Sequence, residues 1–203
     1  EIARGDILST ISATGTVAPE DLVDVGAQVA GQVLAFGKDD DGNEVDYGSN
    51  VAEGTVLAKI DDTTYTSDVA LATAQLDQAK AGVLRAEADL LQLKAKSDQA
   101  LLDWERAQKL GPSEALARST YDSYKSAYDI ARANVTVGEA SITQAKASVN
   151  QSEATLQKAK RNLGYCTIKS PVKGVIIDRR VNIGQTVVAS LNAPSLFLIA
   201  KDL

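Results

Sequence analysis

The chain has 203 residues, a formal charge of −6, no His, one Cys, and only 4% aromatic residues within a hydrophobic content of 44%. Without His there is no Ser-His-Asp triad, Cys-His pair or His-ligated metal, and a single Cys allows neither an internal disulfide nor a Cys cluster for zinc or iron–sulfur. The acidic balance and the lack of a basic, aromatic-interleaved cluster exclude a nucleic-acid partner, while an apolar content of Ala, Val, Leu and Ile suits long helices and small β cores.

Up to about Asp61 the chain is rich in Val and Gly. Alternating runs such as Val23-Asp24-Val25 and Val56-Leu57-Ala58-Lys59-Ile60 are broken by Gly26, Gly31, Gly48 and Gly54, which predicts short strands and tight turns. Within this zone Asp39-Asp40-Asp41-Gly42-Asn43-Glu44 invites a calcium reading. An EF-hand loop needs Gly sixth and Glu twelfth, however, and counting from Asp39 puts Gly42 fourth and Asn50 twelfth, so a solvated turn fits better. Asp61 and Asp62 form a carboxylate pair open to acid/base chemistry, but they stand where helix N-caps and first-turn acids belong.

From about Asp62 to Leu163 Gly and Pro become scarce and the zone reads as helix. Steps of seven from Val69 give Leu76, Val83, Leu90, Ser97 and Trp104, and steps from Ala72 give Ala79, Ala86, Leu93, Ala100 and Ala107. Steps from Tyr121 give Tyr128, Val135, Ile142, Val149, Leu156 and Leu163, with Tyr124, Ala131, Gly138, Ala145, Ser152 and Ala159 as the companion series. Each pair of series has the a/d offset of a coiled coil, one seam large and one small. Leu110-Gly111-Pro112-Ser113 breaks the zone: a Gly to end one helix, a Pro that cannot continue it, a Ser able to cap the next. The expectation is an antiparallel hairpin with arms of roughly 45 residues, about 70 Å long. Trp104 reads as seam packing near its tip rather than as a ligand-stacking residue.

From Gly164 strand signals return in Cys166-Thr167-Ile168, Val175-Ile176-Ile177 and Thr186-Val187-Val188. Cys166 reads as a buried structural thiol. Val29-Ala30-Gly31-Gln32-Val33 resembles Val172-Lys173-Gly174-Val175-Ile176, and Val51-x-x-Gly54-x-x-Leu57 resembles Val181-x-x-Gly184-x-x-Val187. Such a repeat predicts a pseudo-symmetric β-sandwich with the hairpin inserted between its halves. No GxGxxG or P-loop occurs. No run reaches the 18 or so apolar residues that cross a bilayer. The chain opens at Glu1 and ends just after a strand-like run, so it reads as a piece of a longer protein whose targeting or anchoring segment lies elsewhere.

In this order the chain resembles periplasmic adaptors, the membrane fusion proteins of the HlyD type (HlyD/RND-adaptor family), and within them the MacA-like adaptors of ABC-type efflux pumps. The resemblance rests on Ala13-Thr14-Gly15-Thr16-Val17, on the run Val23 to Val33, and on Gly54-Thr55-Val56-Leu57-Ala58-Lys59-Ile60-Asp61. It continues through the run Leu163 to Gly174 and Gly184-Gln185-Thr186-Val187-Val188-Ala189. It implies an α+β fold: a split lipoyl/biotinyl-like β-sandwich interrupted by a long antiparallel α-helical coiled-coil hairpin, with a stub of a β-barrel domain. The segments would be 1–18 (barrel or membrane-proximal stub), 19–61 (first half), 62–163 (hairpin, tip about 107–118), 164–200 (second half) and 201–203 (start of a barrel). A carrier domain presents a Lys on the turn that the hairpin replaces, so no lipoyl or biotinyl group, and no other cofactor, is expected.

The resemblance further implies a non-enzymatic, homo-oligomeric adaptor, a hexamer in many members. It would join an inner-membrane ABC-type transporter to a TolC-like outer-membrane channel for export of small molecules such as drugs. Its place would be the periplasm, anchored to the inner membrane by a segment outside these residues. The family's tip motif is Arg, Leu four positions on and Ser seven further; Arg106 and Leu110 match, Ala117 replaces the Ser, Leu116 precedes it and Tyr121-Asp122 follow. Loss of the hydroxyl puts the usual contact in question, the alternatives being Ser113 or Ser119 as substitutes or a different outer partner. Gln185 is a candidate for a channel-narrowing ring, with a solvent-facing turn residue as the other reading and Ile183 where a second Gln is found elsewhere. The remaining alternatives are a type 1 secretion adaptor exporting protein, a biotinyl or lipoyl carrier subunit of an enzyme, and a structural coiled-coil spacer.

Overall fold

A computed structural model describes residues 21–111, 117–188 and 195–201. The segment 1–18 and the residues Pro112, Ser113, Leu116 and Ala189 lie outside that set. Two compact units form, one from the two ends of the chain up to Asp61 and from Tyr165, the other from Asp62–Gly164.

The first unit holds eight strands among the described residues: β1 (Leu22–Val25), β2 (Gly31–Phe36), β3 (Asn50–Val51), β4 (Val56–Ile60), β5 (Thr167–Lys169), β6 (Gly174–Arg179), β7 (Thr186–Val187) and β8 (Phe197–Ala200). They make two antiparallel sheets, ordered β1-β8-β6-β3 and β5-β4-β2-β7. Exchanging β1–β4 for β5–β8 in order turns the first sheet into the second, so each sheet takes two strands from each half. Neither half can close without the other, which is why residues far apart in sequence meet. The core is aliphatic: Val33, Leu57, Ile60, Ile176 and Ile199 are fully buried around Phe197, each contributing about 1.5–3 kcal/mol by burial. Cys166 is a buried thiol outside any disulfide.

Hydrogen bonds follow the same symmetry. Gly184 N–H donates to the Val33 carbonyl and Gly48 N–H to the Ile176 carbonyl, both at 2.8 Å; Val33 N–H donates to Gln185 and Ile176 N–H to Ser49, both at 3.0 Å. Gly31 pairs with Val187 as Gly174 pairs with Val51, so the first repeat holds. The second is corrected: the partner of Gly184 (φ 85°) is Gly48 (φ 81°), not Gly54. The apolar-x-x-Gly-x-x-apolar spacing recurs one turn later in the first half, and sequence spacing alone selects the wrong copy.

The second unit is two helices of 48 residues each, α1 (Thr63–Leu110) and α2 (Arg118–Tyr165), about 70 Å long at 1.5 Å per residue. On α1 every member of both heptad series is buried or half-buried; on α2 all are except Tyr124, which is exposed. Small seam residues disappear most completely, Ala72, Ala107 and Gly138 among them. Large seam residues span the gap between two helices and keep one edge wet. Trp104 packs on Tyr121, ring centroids 4.9 Å apart.

Asp62 occupies the N-cap position of α1 and its carbonyl accepts Thr66 N–H at 2.8 Å, but its side chain makes no cap hydrogen bond. At the other end Gly111 N–H donates to the Ala107 carbonyl at 3.0 Å. α2 starts at Arg118, so the residue before it is Ala117 rather than Ser113. Among the described residues no helix is long and apolar enough to cross a membrane.

Candidate functional site

The last turns of α1 carry Arg106 and Leu110 four residues apart, hence on one face. Arg106 is exposed and paired at 3.0 Å with Asp103 one turn back. That pair is an i,i+3 surface contact and contributes only a few tenths of a kcal/mol. Leu110 is 61% exposed. Between them Ala107 is buried, because it faces the seam. A cation and a Leu thus stand outward on a surface fixed from below by Ala107 and by the Trp104–Tyr121 pair.

Ala117 is exposed, and its carbonyl accepts the N–H groups of Thr120 and Tyr121, each at 3.0 Å. A Ser here would have offered a hydroxyl to the open N–H groups of the first turn of α2; Ala has none. The loss therefore touches the helix start as well as the outward surface. Of the four sequence candidates at the tip, Arg106, Leu110 and Ala117 flank the turn, and Leu116 lies outside the described residues.

Gln185 lies in the exposed turn between β6 and β7. Its Oε1 accepts Asn182 N–H at 3.1 Å, while Gln32 Nε2 donates to the Gly184 carbonyl at 2.8 Å. One amide oxygen is spent on tying its own turn, and Gln32 of β2 ties the same turn from outside. Ile183 beside it is 52% exposed.

A second cluster escaped the sequence. Arg179 at the end of β6 reaches Asp46 Oδ1 with Nε at 2.8 Å and bonds the Val181 carbonyl and Asn182 Oδ1 with one terminal nitrogen, at 2.7 and 2.9 Å. Its guanidinium lies 4.9 Å from the Phe36 ring centroid, and Phe36 meets Phe197 edge-on. The bond from Arg179, then that from Tyr47 N–H, holds the Asp46 carboxyl below its usual range. Arg179 thereby fastens the loop before β3 and the turn that carries Gln185 to the sandwich core. The only sequence signal was an Arg closing an apolar strand, and its partner Asp46 is 133 residues away.

In the acidic loop Asp39 accepts the N–H groups of Asp41 and Asn43 on Oδ1 and the Ser49 hydroxyl on Oδ2. That carboxylate organises a turn. An open groove of about 780 Å³ beside it is lined by Asp40, Asp41 and Glu53 together with Lys173 and Lys201. Its mixed charge and openness do not define a ligand.

An eight-stranded split sandwich interrupted by a heptad-seamed hairpin defines a class of envelope adaptor domains. The family model described as "RND MFP, barrel-sandwich hybrid domain" matches residues 21–199. The chain belongs to this family of membrane fusion proteins, and the carrier-subunit and spacer alternatives are set aside.

It is 34% identical over 200 residues to the pyoverdine export membrane fusion protein PvdR of Pseudomonas aeruginosa, covering 98% of this chain and 46% of that protein. To the macrolide export protein MacA of Escherichia coli O157:H7 it is 28% identical over 206 residues, covering 98% and 48%. The crystal structure of MacA from Actinobacillus actinomycetemcomitans superposes with a TM-score of 0.54 at 30% identity, over 90% of this chain and 50% of that one. The chain thus spans about half the length of the curated relatives it matches.

Proposed function

We propose that this chain is the sandwich and hairpin of a periplasmic adaptor that joins an inner-membrane transporter of the ABC type to a TolC-like outer-membrane channel. In this reading the protein is a homo-oligomer, a hexamer by family habit. It works in the cell envelope, anchored to the inner membrane, and carries out no reaction of its own. The exported substrate is a small molecule, as the names of the relatives, pyoverdine export and macrolide export, suggest.

One observation carries the proposal: the hairpin joins the two halves of a pseudo-symmetric sandwich and ends in an outward Arg106 and Leu110 over a locked seam. A rigid double helix of 48 residues per arm is a device for reaching across a gap. An exposed Leu beside a cation at its end offers a channel both an apolar contact and a charge. Ala117 carries the docking surface to the start of α2, Leu116 is a further docking residue in this reading, and Gln185 lines a ring of turns, one from each copy.

Photo-crosslinking amino acids at positions 106 and 110 of the intact protein in whole cells test this. Capture of an outer-membrane channel from both positions, and none from a control at Glu153 of the hairpin, is the expected result. Capture from Glu153 alone, or no channel from any position, contradicts it.

A further inference from the structure

We infer that Arg179 is the positioning residue of the Gln185 turn: it ties that turn to the equivalent turn in the first half of the sandwich, so that both hold one arrangement and Gln185 one place. This rests on the reading that Gln185 lines a ring of turns, and it adds what sets the width of that ring.

The pseudo-symmetry gives every residue involved a twin. β2 and β6 have six residues each and start at the corresponding glycines Gly31 and Gly174, so Val33 answers to Ile176 and, at the strand ends, Phe36 to Arg179. Gly48 and Gly184 align the turns that follow. Val45 then answers to Val181, both buried, Asp46 to Asn182, Tyr47 to Ile183, both exposed, and Ser49 to Gln185.

The two turns close in the same way. Ser49 Oγ accepts Asp46 N–H, and Gln185 Oε1 accepts Asn182 N–H, each at 3.1 Å. The N–H groups of Ser49 and Gln185 donate back to the Asp46 and Asn182 carbonyls, again at 3.1 Å. A Ser is long enough for this closure, which engages an oxygen and nothing else. Gln185 therefore brings an amide nitrogen that the closure of its turn does not use.

The halves differ at the strand ends. Phe36 has no hydrogen-bonding side chain, whereas Arg179 offers a planar fork of donors. Its Nε reaches Asp46 Oδ1 of the first turn, and one terminal nitrogen reaches Asn182 Oδ1 and the Val181 carbonyl of the second. One guanidinium thus grips twin residues of both turns, Asp46 and Asn182, while it rests on the ring of its own twin, Phe36. The bond to Asp46 is charge-assisted and the ring fixes the plane of the fork. Asn182 in turn holds Gln185, so a displacement of Arg179 reaches Gln185 through a single residue. Gln32 and the backbone bonds to Val33 secure the other side of the turn, so loss of Arg179 frees the Asn182 side while the strands stay paired.

Two spin-label measurements on the intact protein test this. Labels at Tyr47→Cys and Ile183→Cys of one copy, diluted among unlabelled copies, report the separation of the two turns; a label at Ile183→Cys alone, undiluted, reports the turns of different copies. Cys166 is buried, and a Cys-free Cys166→Ala background checks that it takes no label. One narrow distance is expected in each measurement. Arg179→Gln broadens both about twofold or more, and Arg179→Lys does the same, because a point charge cannot hold two turns with one fixed fork. Ile199→Val, which lowers stability from the buried core without touching either turn, leaves both narrow.

A within-copy distance that stays narrow in Arg179→Gln overturns the inference and leaves the ring reading standing. Equal broadening by Ile199→Val also overturns it, because the effect would then follow stability and not the clamp. Absence of any distance between copies overturns the ring reading, and with it the role of Arg179 in setting the ring, whatever the within-copy result.

Discussion

Gly138 of α2 sits directly against Leu90 of α1: a Cβ on Gly138 would come within 3.0 Å of the Leu90 Cδ1, and within 3.0 Å of the Leu93 Cδ1 as well. The two helices approach closely at this point of the inner seam. It shows what the small series on α2 is for: a hairpin without a third helix gains burial by close approach.

Substitutions at Gly138 should separate helix propensity from packing. Gly138→Ala gains about 1 kcal/mol of helix propensity, while the methyl presses on the Cδ1 ends of Leu90 and Leu93 and makes an ordinary contact with the Leu90 Cα at 3.7 Å, so the net change stays within about 1 kcal/mol of zero. Gly138→Leu overpacks the seam and costs about 1–3 kcal/mol. Thermal unfolding followed at 222 nm reads both.

Ala117→Ser places a capping hydroxyl immediately before Arg118. The expected gain is about 0.5–2 kcal/mol in hairpin stability. Ala117→Gly, which supplies no hydroxyl, gives clearly less. Denaturant midpoints of the two variants decide whether this position acts on helix stability.

Gly48 and Gly184 adopt nearly the same left-handed conformation at equivalent places in the two halves. Neither has a neighbour that would clash with a Cβ. Gly48→Ala and Gly184→Ala should therefore each cost about 1–2 kcal/mol, from backbone strain alone. Closely matching losses in urea unfolding are the outcome the pseudo-symmetry predicts.

Arg179→Ala removes hydrogen bonds to Asp46, the Val181 carbonyl and Asn182 together with the stacking on Phe36, an expected loss of about 1.5–3 kcal/mol. Arg179→Lys recovers little, because a point charge cannot reproduce the fork and the stack. The pH dependence has a definite sign. The native Asp46 carboxyl is held below its ordinary value of 3.8, by the Arg179 hydrogen bond first. The unfolded chain thus takes up the proton first as pH falls. The stabilising contribution is complete above about pH 4 and is lost as pH drops through the lowered native value. The stability gap between the natural chain and Asp46→Asn should be constant near neutrality and shrink below about pH 4, by denaturant titration at each pH.

The hairpin was legible in sequence almost residue by residue, because a 3-4 repeat over many heptads has one geometric solution, and only Tyr124 left the seam. The two-half sandwich was legible from Gly31 and Gly174, whose crowded surroundings permit nothing larger. Its register was not: Gly54 and Gly48 offer the same local pattern, and only long-range pairing to Val33 and Ile176 selects Gly48 as the partner of Gly184. The Arg179–Asp46 clamp was invisible for the same reason, since nothing local ties the two residues. At the tip the motif showed Arg106, Leu110 and the missing Ser. That Ala117 opens a helix depended on where α2 begins, which Pro112 and Ser113 suggested too early.

In the proposed function the hairpin meets an outer-membrane channel with its tip. Electron cryomicroscopy of the intact protein assembled with its transporter and channel tests it most directly. The expected result is a ring of copies with Arg106 and Leu110 of every copy at the channel end. A complex in which the hairpins meet the channel by any surface other than the tip, or do not meet it, would contradict the proposal.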